Sequence, residues 1–167
     1  EDTDMSRFSM RTLMGTPSMK VIADHGVQEE PYTHRRYQSI NTEILGQIIK
    51  NATGCSLEEY MEEKLWKRIG AEQDAYWTLS NGTELAMGGL SVSIRDYARF
   101  ARLYLNGGSF HGEQILTKEW VRDSMDVSAA YSRPGANQDV YNAIGYGYQW
   151  WVPEGDRGEF MAIGVYG

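Results

Sequence analysis

Residues 37–77 read YQSINTEILGQIIKNATGCSLEEYMEEKLWKRIGAEQDAYW, and two helices with their punctuation are written into this stretch. From Asn41 onward Ile44, Leu45, Ile48, Ile49 and Ala52 recur at three- and four-residue intervals, which sets them on one face of a helix. Gly54 follows as a C-terminal stop, because glycine accepts the left-handed conformation that ends a helix. Ser56 then opens a second helix: its hydroxyl caps the backbone, and Glu59, three residues on, returns the bond to complete a capping box. Leu57, Tyr60, Met61, Leu65 and Ile69 form the apolar stripe of this helix, and Gly70 ends it.

Downstream, Asn81-Gly82 suits a tight turn between short extended segments at 76–79 and 84–87, a small hairpin. Ser93 and Asp96 form another capping box, opening a helix in which Ile94, Ala98, Ala101 and Leu105 face inward and Arg95, Arg99 and Arg102 outward. Gly107 and Gly108 close it, a further helix runs from Thr117 to about Met125, and residues 128–142 form a long polar loop. Residues 146–152 and 159–166 are rich in aromatic and β-branched side chains and read as two antiparallel strands joined by 153–158. Strand alternation sends Trp150 and Trp151 to opposite faces and groups Tyr146, Tyr148 and Trp150; these read as core aromatics, one of which can wall a cleft. Upstream, residues 1–36 read as irregular, with one short helix over 18–23. The chain thus divides into an irregular segment (1–36), a helical region (37–126) and a loop with two strands (127–167).

The 167 residues are 41% hydrophobic and 23% charged, the balance of an ordinary folded domain. A formal net charge of −7 sets the average surface against nucleic acid and anionic lipid, and makes a neutral or cationic small-molecule substrate easier to accommodate. No apolar run is long enough to cross a bilayer. The single cysteine, Cys55, rules out an internal disulfide and reads as a structural thiol; the compartment stays open. His25, His34 and His111 lack the spacing of a helical metal pair, so neither metal nor other cofactor is expected. The sequence contains no Gly-x-Ser-x-Gly elbow, P-loop or dinucleotide fingerprint.

Tyr37-Gln38-Ser39, standing just before the first strong helix, resembles the second motif of the β-lactamase-like (penicillin-recognising) serine hydrolases. That motif is Tyr-x-Asn in class C β-lactamases and Tyr-x-Ser in the 6-aminohexanoate-dimer hydrolase and esterase branch. The string GGLSVSIRDYARFARLYLNGG (88–108) is similar to the next helical segment of that superfamily, and FMAIGVYG (160–167) to its third-motif strand, in the same order. The resemblance implies an α+β fold of the β-lactamase (DD-peptidase) type, represented here by its helical region and part of its antiparallel sheet. It also implies an acyl-serine hydrolase whose Ser-x-x-Lys nucleophile motif lies upstream. No serine in this chain is followed three positions later by lysine, so the nucleophile is expected outside it, on the remainder of the same polypeptide.

Within that implied site Tyr37 is the proton-transfer group. A phenol is a poor base near neutrality unless a cation holds it as phenolate, and the lysine of the first motif would do so. Ser39 offers a hydroxyl where β-lactamases carry an amide, which favours esters or linear amides over β-lactams. Gly164 and Val165 are the candidates for the third motif's oxyanion and substrate contacts, since a small residue lets an edge strand approach a substrate. Arg35 and Arg36 read as a solvated basic pair, or else as cations that help hold Tyr37 as phenolate. A rival reading keeps part of the fold as a non-catalytic binding module; a β-lactamase or DD-peptidase is the alternative within the enzyme class.

Overall fold

The computed structural model describes residues 8, 10–12, 14–27, 29–136 and 143–164. Helix α1 (Ser18–His25) precedes α2 (Ser39–Thr53), which Gly54 terminates at φ 72° with its N–H bonded to the Lys50 carbonyl. Each helix is two residues longer at one end than the sequence pattern sets it: α1 starts at Ser18 as expected but runs on to His25, and α2 begins at Ser39 rather than Asn41. The Ser56 capping box is present in full, with the Glu59 N–H donating to Ser56 Oγ at 3.1 Å and the Ser56 N–H to Glu59 Oε2 at 3.0 Å. It opens α3 (Leu57–Met61), which widens into one π-helical turn over Glu62–Trp66 before the chain turns at Gly70.

Strands β1 (Tyr76–Trp77), β2 (Leu79–Ser80), β3 (Thr83–Glu84) and β4 (Leu90–Ser91) follow. The expected hairpin forms between β2 and β3, where Asn81 and Gly82 both take positive φ (51° and 74°), the geometry of a type I′ turn. Tyr76 and Trp77 do not join it; they pair with Ser91 and Leu90 on β4. Helix α4 (Ile94–Leu105), the pair β5 (Ser109–Phe110) and β6 (Glu113–Gln114), and α5 (Lys118–Ser124), capped by Thr117, complete the middle of the chain.

The last pair is β7 (Ile144–Tyr146) against β8 (Trp151–Pro153), with Tyr146 opposite Trp151. The stretch read as one strand over 146–152 is therefore a hairpin, bent where Gly147 passes against the Ser124 carbonyl and Gln149 takes φ 67°. The second expected strand, 159–166, is reduced within the described residues to one isolated bridge, Trp151 to Met161. Gly155 and Gly158 at positive φ turn the chain just before it.

Two helical faces differ from the periodic reading. On α2 the buried positions are Ile40, Glu43 and Gly46, while Leu45, Ile48 (54% exposed) and Ile49 face outward. The inner face is set by docking onto residues 84–86: Glu43 Oε2 accepts from the Ala86 N–H at 2.9 Å, Lys50 reaches Glu84 at 3.3 Å, and a side chain at Gly46 would overlap Ala86. On α4, Asp96, Leu103 and Tyr104 are buried, while Ile94 (85% exposed), Ala98 and Leu105 are exposed. Ser93 caps this helix and donates its hydroxyl to the Asp96 carboxylate at 2.7 Å, but that carboxylate goes on to accept from the N–H groups of Glu72 (2.8 Å) and Gln73 (3.2 Å) in place of the Ser93 N–H that the capping box requires. Arg99, expected on the outer face, turns inward to Asp96 and Glu72. The polar tie to residues 72–73, and the aromatic side chains that pack on Trp150, override the simple apolar count.

Among the described residues apolar burial is divided into three clusters. Phe8, Val21 and Ile40 form one, Ile69, Leu103 and Phe110 a second, and Tyr104, Val121 and Trp150 a third. Phe100 and Leu116 pack against both the second and the third, joining them.

Candidate functional site

Residues 34–38 lead into α2 without regular secondary structure, Gln38 being extended at φ −141° and ψ 114°. Arg35 and Tyr37 share the side that faces the β7–β8 hairpin, while His34, Arg36 and Gln38 line a cavity of about 310 Å³ on the other. Tyr37 is 45% exposed, yet its ring is held on two sides. It stacks on Trp151 with centroids 5.4 Å apart and planes 26° apart, and meets Tyr146 edge-on at 5.7 Å. Tyr146 and Trp151, themselves 4.6 Å apart, are cross-strand neighbours of the hairpin. Aromatic pairs at such separations add to the area they bury.

Arg35 is not a solvated cation: only 9% of it is exposed. Its Nη1 donates to the Ile144 carbonyl at 2.6 Å, and its guanidinium lies 5.9 Å from the centroid of the Trp151 ring, within cation–π range. The Tyr146 phenol is pushed up to about 12, first by burial and then by the neighbouring Tyr37, with Arg35 opposing. It donates to Gln149 Oε1 at 3.3 Å, an oxygen that also accepts from Thr42 Oγ1 of α2 at 2.9 Å. Hairpin and helix are thus joined beside Tyr37.

The two tryptophans divide as strand alternation requires. Trp150 packs with Tyr104, Phe100 and Phe160, and Trp151 with Tyr37 and Tyr146. The grouping of Tyr146 and Tyr148 with Trp150 is corrected by the bend at 147–149: Tyr146 sides with Trp151, and Tyr148 packs on Trp120. Ser39, half-buried, is the first residue of α2, two positions from Tyr37. Gly164 is exposed beyond the Trp151–Met161 bridge, with open space where a side chain would stand; Val165 lies outside the described residues. Sequence reasoning missed the buried role of Arg35 and the pairing of Tyr146 with Tyr37. The two-residue alternation from Tyr37 back to Arg35 was the available signal for the first; the second depends on the Gln149 turn.

Among the described residues no group of three His, Cys, Asp or Glu side chains is placed to hold a metal ion, and no helix is long and apolar enough to cross a membrane.

The Beta-lactamase family model matches residues 4–167. The chain is 32% identical over 137 residues to the 6-aminohexanoate-dimer hydrolase of Paenarthrobacter ureafaciens, an alignment covering 79% of this chain and 34% of that protein. A candidate 6-aminohexanoate-dimer hydrolase from Bacillus anthracis superposes with a TM-score of 0.74 at 34% identity, covering 84% of this chain and 36% of that one. The penicillin binding protein of Bacillus halodurans shares the fold at 15% identity, with a TM-score of 0.61 over 83% of this chain and 46% of that one. The chain therefore spans about a third of the length of the hydrolases it matches. With the family model matching nearly its whole length, the chain belongs to the β-lactamase family and carries part of that family's α+β fold.

Proposed function

We propose that the polypeptide containing this chain is a serine hydrolase that opens an ester or linear amide bond through an acyl-serine intermediate, with Tyr37 as its proton-transfer residue. The observation that carries this reading is the state of Tyr37: a phenol at the entry to α2, half-open to solvent, with its ring fixed by Trp151 and Tyr146. A ring packed on two sides turns its oxygen toward the open side and leaves room there for a substrate. The relatedness to a 6-aminohexanoate-dimer hydrolase over 79% of the chain supports the same class.

The serine nucleophile and its lysine partner belong to sequence outside this chain. In the first half-reaction the serine oxygen bonds to the acyl carbon while its proton passes to the Tyr37–lysine pair, which returns it to the departing alcohol or amine. Water then repeats the sequence to free the acid. Ser39, at the first turn of α2, supplies a hydroxyl to this site, and Gly164 and Val165 supply the oxyanion and substrate contacts. A hydroxyl at position 39 has no amide for the acylamino arm of a β-lactam, which sets linear substrates ahead of β-lactams.

The test is Tyr37→Phe in the complete polypeptide, assayed on a p-nitrophenyl ester. The expected result is a fall in kcat of about 10²–10⁴-fold with KM little changed, the pattern of a lost proton-transfer group. An unchanged kcat overturns the assignment of Tyr37. Absence of turnover in the unmodified polypeptide overturns the hydrolase reading and leaves a binding module that retains the fold.

A further inference from the structure

We infer that Arg35 is the positioning residue for Tyr37, fixing the phenol by stapling the segment before α2 to the β7–β8 hairpin. The inference rests on the proton-transfer role proposed for Tyr37 and adds to it the group through which that role is maintained.

Residues 34–38 belong to no strand or helix, so no ladder of backbone bonds holds Tyr37 in register. Its ring is placed by Trp151 and Tyr146, both on the hairpin, and aromatic contacts tolerate sliding in a way that a hydrogen bond does not. Arg35 supplies the directional contact. It projects to the same side as Tyr37, donates to the Ile144 carbonyl at 2.6 Å and lies over the Trp151 ring on which Tyr37 stacks. At 9% exposure the side chain has little water to turn to, so giving up the Ile144 carbonyl would cost a buried hydrogen bond, and this holds the arginine in place. The planar fork lets one side chain bond a carbonyl and lie against an aromatic ring together, which a lysine ammonium on a flexible stem does less well. Thr42 and Tyr146, meeting on Gln149 Oε1, make the matching tie on the α2 side.

The experiment is a double-mutant cycle in the complete polypeptide, with kcat and KM measured on a p-nitrophenyl ester for Arg35→Met, Arg35→Lys, Tyr37→Phe and the Arg35→Met/Tyr37→Phe pair. If Arg35 acts through Tyr37, Arg35→Met lowers kcat about 10- to 100-fold with KM within about threefold, and Arg35→Lys recovers part of the loss. In the Tyr37→Phe background Arg35→Met then costs less than about twofold, because the group it positions is gone. Circular dichroism and the unfolding midpoint establish that each variant is folded; should Arg35→Met fail to fold, Arg35→Lys alone and paired with Tyr37→Phe completes the same cycle. Additive losses overturn the inference, as does a full kcat in Arg35→Met or Arg35→Lys beside a crippled Tyr37→Phe, and in both cases the role of Tyr37 stands. A full kcat in Tyr37→Phe overturns that role and the inference with it.

Discussion

Tyr146 illustrates how far a single side chain can depart from its sequence reading. Half-buried between Trp151 and Tyr37, its phenol is pushed up to about 12, against about 10 for an unfolded tyrosine. A folded value above the unfolded one means that this stabilising contribution is complete below pH about 10 and is lost as pH rises from there through about 12, since the unfolded chain gives up the proton first. Following phenolate absorbance with pH should show one tyrosine titrating late, and Tyr146→Phe should remove that late step and flatten the alkaline fall in stability. The late step surviving in the phenylalanine variant would assign it elsewhere. Tyr37 was singled out by the resemblance of Tyr37-Gln38-Ser39 to the family's second motif, its role remaining the proposal made above. Arg35 was not, because a pair of arginines ahead of a helix reads as surface charge until a carbonyl 109 residues away is known to receive one of them.

Where helices begin and end was written locally, in Gly54, in Ser56 with Glu59, in Ser93 and in Thr117, each of which does its expected work. Which face each helix buries was not local. The apolar stripe of α2 points outward because a carboxylate, a glycine and a lysine, at Glu43, Gly46 and Lys50, meet residues 84–86. Gly46→Val should therefore destabilise the fold by about 1–3 kcal/mol, the range for forcing extra carbons into a packed contact, as read from urea unfolding. A variant as stable as the parent would show that α2 stands off from Ala86. The Asp96 carboxyl is held below the usual range, first by the Ser93 hydroxyl, then by the Glu72 N–H, with the Gln73 N–H and Arg99 adding to it. Its stabilising contribution is present above the unfolded carboxyl value and declines as pH falls through the lowered one. Asp96→Asn should flatten the acid limb of stability against pH, and an unaltered acid limb would place that dependence on other carboxylates.

At the scale of the molecule, the buried apolar side chains of the described residues fall into three modest clusters, two of them joined through Phe100 and Leu116, and every sheet has two strands. Pairs of that size are marginal alone, and the outward Leu45, Ile48 and Ile49 of α2 and Ile94, Tyr97 and Leu105 of α4 present apolar surface to water. We expect the isolated 167-residue chain to bind a hydrophobic dye and to associate in solution, and expect both effects to vanish in a longer polypeptide with segments that cover these faces. A monodisperse monomer that binds no dye and unfolds cooperatively would mean that the chain is sufficient by itself. The family was legible from motif order, whereas the division of the core was not, because periodicity cannot distinguish a face that meets this chain from one that meets another segment. The bond from Arg35 to Ile144 also fixes a moment in the life of the protein. At common rates of translation the ribosome needs on the order of ten seconds to add the intervening residues. Throughout that interval the nascent chain already carries Tyr37 without the hairpin that packs on it, so any chemistry this site performs is withheld until β7 and β8 have been made.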